Sequence, residues 1–395
     1  MSKRGSYVEY AAHTDFKAQC VLSGSGSVFS LVAELERLHT RRVLFICSKN
    51  VKKYKVFEEL NEMLIQKGLR IFSFEKEPGL LKQVDIDKAL GVFREYNCDT
   101  VVTVGGTSDI DCGKMVIAMA NTPSAKKLTD IVGDGQVRNG KYNLCCIAMD
   151  AGASCATPFA EFVSENGGKW LMVRSSMIVP EVVVIDTELS MRTEHEAAVD
   201  SALTAFCEAI ESYISPLAYD EAMYRADAAV ACGIIYDSLN NMKKNPEDSY
   251  LRYKTAVGGY YAGLSVRKTG IGYTHIAVHK LIERYGDVHG AAYLKLLRYL
   301  VEAQKDLCNK ALADLARYLS ICTQNADDER AASNLIDRLD YICSRYEEYI
   351  RLPDFEDKEA LAIADDVRRE ASVYDLHKLE SRAFADMLLT ACSHE

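Results

Sequence analysis

Residues 41–48, RRVLFICS, are followed by VFEELNEMLIQKG (56–68), LRIFSFE (69–75), IDKALGVFREYN (86–97) and DTVVTVGG (99–106). The first, third and fifth of these are short runs rich in β-branched and aromatic residues. The second and fourth space their apolar residues three and four apart, the period of a helix. Strands separated by helices cannot be joined by hairpins, so the alternation predicts βαβ units and a parallel sheet. Apolar runs at YNLCCIAMD (142–150) and VPEVVVIDTEL (179–189) extend it.

Beyond residue 192 strand patterns stop. AVDSALTAFCEAIESYIS (198–215), EAMYRADAAVACGIIYDSLNNM (221–242) and LHKLESRAFADMLLTACS (376–393) all carry helical periodicity, broken by short polar interruptions. The expectation is a nucleotide-binding α/β domain over 1–188, Rossmann-like, followed by an all-α helical bundle over 189–395 that carries a metal and substrate site.

The chain has 395 residues, 48% hydrophobic, and a formal net charge of -10. That length suits two cored domains, and that charge opposes a broad contact with nucleic acid or a basic role at a membrane surface. Thirteen cysteines are scattered singly apart from Cys145 and Cys146, without a CxxC pair, which reads as reduced core thiols. The first residues, MSKRGSYVEYAAHTDF, lack an apolar core of the secretory type. No stretch approaches the roughly 20 apolar residues of a membrane span. A cytoplasmic protein with a small-molecule partner is expected.

The clearest chemical signal is VVTVGGTSDIDCGK (101–114), where a strand pattern runs into Gly105 and Gly106 and then into a helix with Thr107, Ser108, Asp111 and Lys114. Small residues at a helix start let backbone N–H groups approach a diphosphate. The run LSGSGSVFSLVAEL (22–35) repeats this chemistry. At the end of the next strand, FICSKNVKK (45–53) lacks the acid that would hold a ribose 2′-hydroxyl. Ser48, Lys49, Lys52 and Lys53 suit a 2′-phosphate instead, which leans towards NADP over NAD; a solvated basic helix start is the alternative.

In GIGYTHIAVHKLIERYGDVHG (270–290), His275 and His279 lie four apart on one helix face and His289 follows ten residues later. Such spacing allows imidazoles to converge on one ion, although helix-face histidines are more often structural. On the helix of 198–215, Asp200, Thr204, Glu208 and Glu211 share a face. Asp200 and Glu208 offer carboxylate ligands, and Glu211 reads as a solvated position.

Taken together these motifs resemble, in the same order and over nearly the full length, the iron-containing (group III) alcohol dehydrogenase family. The family's GGGSxxDxxK motif is similar to Gly105-Gly106-Thr107-Ser108 with Asp111 and Lys114, one glycine having become Thr107. Its LxxFGxGS start resembles Leu22 to Ser27. Its DPeL segment looks like Asp186 to Leu189, and DALTHAIEAY looks like TAFCEAIESY at 204–213.

The resemblance implies that the Asp and His ligands fall on Thr204 and Glu208. It implies that the later ligand pair falls on His275 and His289, and that His279 matches a further active-site histidine. It also sets MDAGASCATPF (149–159) against a cofactor loop, with Asp150 in place of a threonine, where a carboxylate would repel a diphosphate. A site of Glu208, His275 and His289, with Asp200 as a substitute carboxylate, suits a divalent metal such as Fe or Zn. The implied reaction is metal-assisted hydride transfer between a small alcohol or aldehyde and NADP or NAD, with His279 catalytic and the protein a homodimer. Two other readings are a degenerate, non-catalytic nucleotide-binding homologue acting with a biosynthetic partner, and a polyol dehydrogenase-like or sugar-phosphate cyclase-like metalloenzyme.

Overall fold

The computed structural model describes residues 19–49, 51–165, 168–219, 222–286, 290–350, 352–354, 356–371 and 379–392. It divides into two compact units. Of the described residues, those within 19–148, 154–165 and 171–186 form the first, and those within 149–153, 168–170 and 187–392 the second.

The first unit is built on β1 (Cys20–Ser23), β2 (Arg42–Ser48), β3 (Arg70–Lys76), β4 (Thr100–Gly105), β6 (Asn143–Ala148) and β9 (Val182–Ile185), in the order β1-β9-β6-β4-β2-β3. Every pair in this sheet is parallel. The run Val43–Cys47 is fully buried, as a parallel strand covered on both faces must be. Three further strands, β5 (Gly133–Asp134), β7 (Phe159–Val163) and β8 (Trp170–Arg174), form a second sheet in the order β5-β8-β7. Neither this sheet nor β1, hidden in front of a glycine run, is foreseen from the sequence.

Helices α1 (Leu31–Arg37), α2 (Lys55–Gln66), α3 (Gln83–Glu95) and α4 (Thr107–Ala120) alternate with the strands. Helix α4 lies unusually close to the sheet, because a Cβ on Gly113 would stand 2.2 Å from the Thr103 methyl. The core between α3, α4 and the sheet contains Leu44, Ile46, Ile86, Val101, Met115 and Leu144. From β2 the chain passes to β3 on one side and then to β4 on the other. The carboxyl ends of β2 and β4 therefore flank a topological switch point, where open parallel sheets bind ligands.

The second unit is helical. It contains α5 (Thr187–Ser190), α6 (His195–Ile214), α7 (Pro216–Tyr219), α8 (Ala222–Met242), α9 (Ser249–Thr269), α10 (Tyr273–Tyr285), α11 (Gly290–Ala303), α12 (Lys305–Tyr318), α13 (Asp328–Arg345), α14 (Asp357–Ala371) and α15 (Ser381–Cys392). Helix α6 is central, packing on α8, α9 and α11. Ala202, Leu203, Phe206 and Ile210 bury one of its faces. No helix among the described residues is long and apolar enough to cross a membrane.

Candidate active site

At the switch point β4 ends in Gly105, whose φ of +152° suits glycine. A side chain there would also collide with the chain itself, since a Cβ on Gly105 would lie 2.1 Å from Asp109 Oδ2. Gly106 caps α4. The first-turn N–H groups of Thr107 and Ser108 have no intrahelical partner, and this is the feature that favours an anion.

That first turn carries an acid of its own, Asp109. Ser48 Oγ, at the end of β2, donates to both carboxylate oxygens of Asp109, at 3.0 and 2.8 Å. Asp109 is buried, and burial raises its carboxyl above the usual range, partly offset by the Lys76 ammonium and the Ser48 hydrogen bond. Ser48 is thus committed to Asp109 rather than turned to a ribose phosphate. Lys49 pairs with Glu77 in an exposed ion pair.

Lys114, expected among the cofactor-binding residues, is engaged within the α/β unit. Its ammonium is completely buried and donates to Ser154 Oγ (2.9 Å), Thr157 O (2.9 Å), Thr157 Oγ1 (3.1 Å) and Phe159 O (2.6 Å). With its donors engaged, Lys114 ties α4 to the 154–159 loop. Asp111 supports the same loop by accepting from Ser154 Oγ and, at 3.1 Å, from the Glu161 N–H. Burial pushes its carboxyl up to about 6, against the opposing pull of Lys114 and the Ser154 hydrogen bond.

The loop over 24–27 has its own internal anion. Val28 N–H donates to Asp186 Oδ2 at 3.1 Å, and Ser27 Oγ reaches Ile185 O and the same carboxylate. Asp150, in the helical unit, closes a turn by accepting from Gly152 N–H at 2.9 Å.

In the helical unit, α6 and α10 bring the remaining candidates together. Glu208 Oε1 stands 3.2 Å from His275 Nδ1, with both side chains only 12% exposed. One helical turn along, the His279 ring meets His275 edge-on at a centroid distance of 4.4 Å and stacks on Trp170 at 4.2 Å. Trp170 is the chain's single tryptophan, and its backbone N–H donates to Glu283 Oε1 at 2.7 Å. His289 lies outside the described residues.

The start of α10 is fixed by a residue read from the sequence as solvated. Glu211 is buried, accepting from Tyr293 Oη at 2.6 Å and from the Thr274 N–H at 3.0 Å. It serves as a cap delivered from another helix, favoured at the positive end of α10. Gly272 makes room for it, since a Cβ there would stand 2.2 Å from Glu211 Cδ. This contact positions His275, the next residue after Thr274. Asp200, expected as a substitute ligand, instead receives the Gly290 N–H at the start of α11. Thr204 Oγ1 lies against the same glycine.

Donor atoms on a tetrahedral ion with bonds of 2.0–2.1 Å stand about 3.3 Å apart. Glu208 and His275 meet that spacing, so this pair fits a shared divalent ion, while Asp200 and Thr204 are turned to α11. At the switch point the unpartnered first-turn N–H groups of a helix favour an anion, and the Asp109 carboxylate opposes a second one in charge.

Comparison with known proteins agrees with the architecture. Residues 18–187 match the family model for iron-containing alcohol dehydrogenase, and residues 198–372 match the C-terminal model of the same family. The NAD-dependent methanol dehydrogenase of Bacillus methanolicus is 24% identical over 68% of this chain and 69% of its own. Lactaldehyde reductase of Escherichia coli K12 is 23% identical over 80% of this chain and 81% of its own. Among solved structures, alcohol dehydrogenase from Oenococcus oeni superposes with a TM-score of 0.85 at 20% identity, covering 95% of this chain and 99% of that one. Matched by both family models in order, the chain belongs to the iron-containing alcohol dehydrogenase family and is an oxidoreductase of the alcohol dehydrogenase and aldehyde reductase type.

Proposed function

We propose that the chain interconverts a small alcohol and its carbonyl compound with NADP or NAD, assisted by a divalent metal, iron or zinc, as a cytoplasmic homodimer. The observation that carries this reading is the 3.2 Å approach of Glu208 to His275 on α6 and α10. When bound, the nicotinamide exchanges hydride with the substrate carbon and the metal polarises the substrate oxygen.

Glu208 and His275 would hold the ion, with His289 as the third ligand. Glu208 thus acts as a carboxylate ligand, which a mixed site of one acid and two histidines accommodates. His279, held flat by Trp170 beside His275, would line the substrate side and hold or release the alcohol proton. The first turn of α4, with Gly105, Gly106, Thr107 and Ser108, would receive the diphosphate. Glu211 acts one step further back, by anchoring the helix that carries both histidines.

The test is elemental analysis of the purified protein, Glu208→Ala and His275→Ala, beside NADH and NADPH oxidation with a panel of small aldehydes and polyol-derived carbonyls. The proposal expects near-stoichiometric metal and turnover in the parent protein, and loss of both in each variant. A protein that binds nucleotide but shows no turnover and no metal after supplementation overturns it. That outcome would favour the non-catalytic nucleotide-binding reading.

A further inference from the structure

Both turns that the sequence marks as phosphate cradles contain a carboxylate from the chain itself. At the first, Asp186 Oδ2 accepts from the Val28 N–H at 3.1 Å. At the second, Asp109 is folded beneath the end of β4 and bound by Ser48 across the β2–β4 seam. Gly105 admits that carboxylate, since a Cβ would stand 2.1 Å from it. A glycine that looks made for a ligand's phosphate is therefore used to accommodate an acid.

We propose that Asp109 is a specificity-determining residue that selects against a diphosphate at this switch point and weakens nicotinamide dinucleotide binding relative to a ligand with no charge there. The inference rests on the reading that the crevice takes a dinucleotide. A diphosphate held by the first-turn N–H groups of α4 would share that turn with the Asp109 carboxylate. Like charges a few ångströms apart beneath a protein surface repel strongly, and bulk salt screens them poorly once one is buried. Lys76, the cation that most offsets Asp109, gives its ammonium to the carbonyls of Glu77 (2.7 Å) and Gly79 (3.0 Å). Its donors are thus directed to backbone rather than to a ligand phosphate.

The experiment measures dissociation constants of the full chain for NADH and ADP-ribose, with adenosine as the probe lacking phosphate. It compares the parent protein with Asp109→Asn, Asp109→Ser and the exposed control Glu62→Gln. The serine variant guards against an asparagine that packs badly, and melting temperatures verify the fold of each. The expected result is NADH and ADP-ribose binding tightened about 10- to 100-fold in both Asp109 variants, adenosine changed less than about twofold, and the control unchanged. Where turnover is measurable, KM for NADH falls with kcat unaltered.

Unchanged NADH binding in the folded variants would overturn the inference while leaving the dinucleotide reading intact. Equal tightening of adenosine would overturn it too, by showing that the crevice had merely opened. Failure of every form to bind NADH or ADP-ribose would sink the inference and the dinucleotide reading together.

Discussion

Lys114 and Asp111 illustrate how far the partners of a residue can lie from the motif that singles it out. Their spacing of three residues and the glycines before them match a phosphate motif. The groups that decide their role are Ser154, Thr157 and Phe159, forty or more positions along the chain, and no local pattern announces them. The consequence is measurable through Asp111, whose folded carboxyl is pushed up to about 6 from 3.8. A carboxyl raised on folding favours the folded state below its unfolded value and loses that contribution as pH rises through the folded one. Denaturation of the parent protein against Asp111→Asn should therefore show the parent losing stability relative to the variant between about pH 4 and pH 6, by on the order of 3 kcal/mol at most. A parent that holds steady or gains relative to the variant over that window would contradict the burial assigned to this group. Glu211 offers a second case. Its replacement by alanine leaves the Tyr293 hydroxyl and the Thr274 N–H buried without their acceptor. The expected cost is about 2–4 kcal/mol by chemical denaturation, and a loss below about 0.5 kcal/mol would show that the cap is dispensable.

Among elements, those legible in the sequence were the ones whose surroundings are uniform. Strands β2, β4 and β9 are buried on both faces and read as unbroken apolar runs, and the long helices carry their own period. The short strands β5 and β7 have no such signature, because two to five residues do not establish a period and their pairing is decided by tertiary neighbours. The helix starts of the candidate site were illegible for another reason: Gly272 and Gly290 appear as ordinary turn glycines. Their actual role is close approach between helices. A Cβ on Gly290 would stand 2.3 Å from Thr204 Oγ1 and 2.6 Å from Asp200 O, so Gly290→Ala must push α11 away from α6. Overpacking of this kind costs about 1–3 kcal/mol. If His289 is a ligand, as proposed, the same variant should weaken metal binding more than Ala292→Val, a substitution elsewhere on α11. Equal metal affinity in the two would separate the packing of α11 from the site.

For the molecule as a whole, the two compact units contain different parts of the proposed chemistry. The glycine turns lie in the α/β unit, whereas Glu208, His275, His279 and Trp170 belong to the helical one. A ligand that binds a folded state stabilises it by an amount set by its concentration over its dissociation constant, about 2.7 kcal/mol at a hundredfold excess. Because Trp170 is the single tryptophan and stacks on His279, its fluorescence reports the unfolding of the helical unit. Added zinc or ferrous ion should then raise the fluorescence midpoint of the parent protein by several degrees and leave Glu208→Ala unmoved. NADH should still shift the far-ultraviolet circular dichroism transition in both, since Glu208 is no part of the glycine turns. An equal metal-induced fluorescence shift in Glu208→Ala would place the ion away from this carboxylate, and the assignment of Glu208 as a ligand would have to be abandoned.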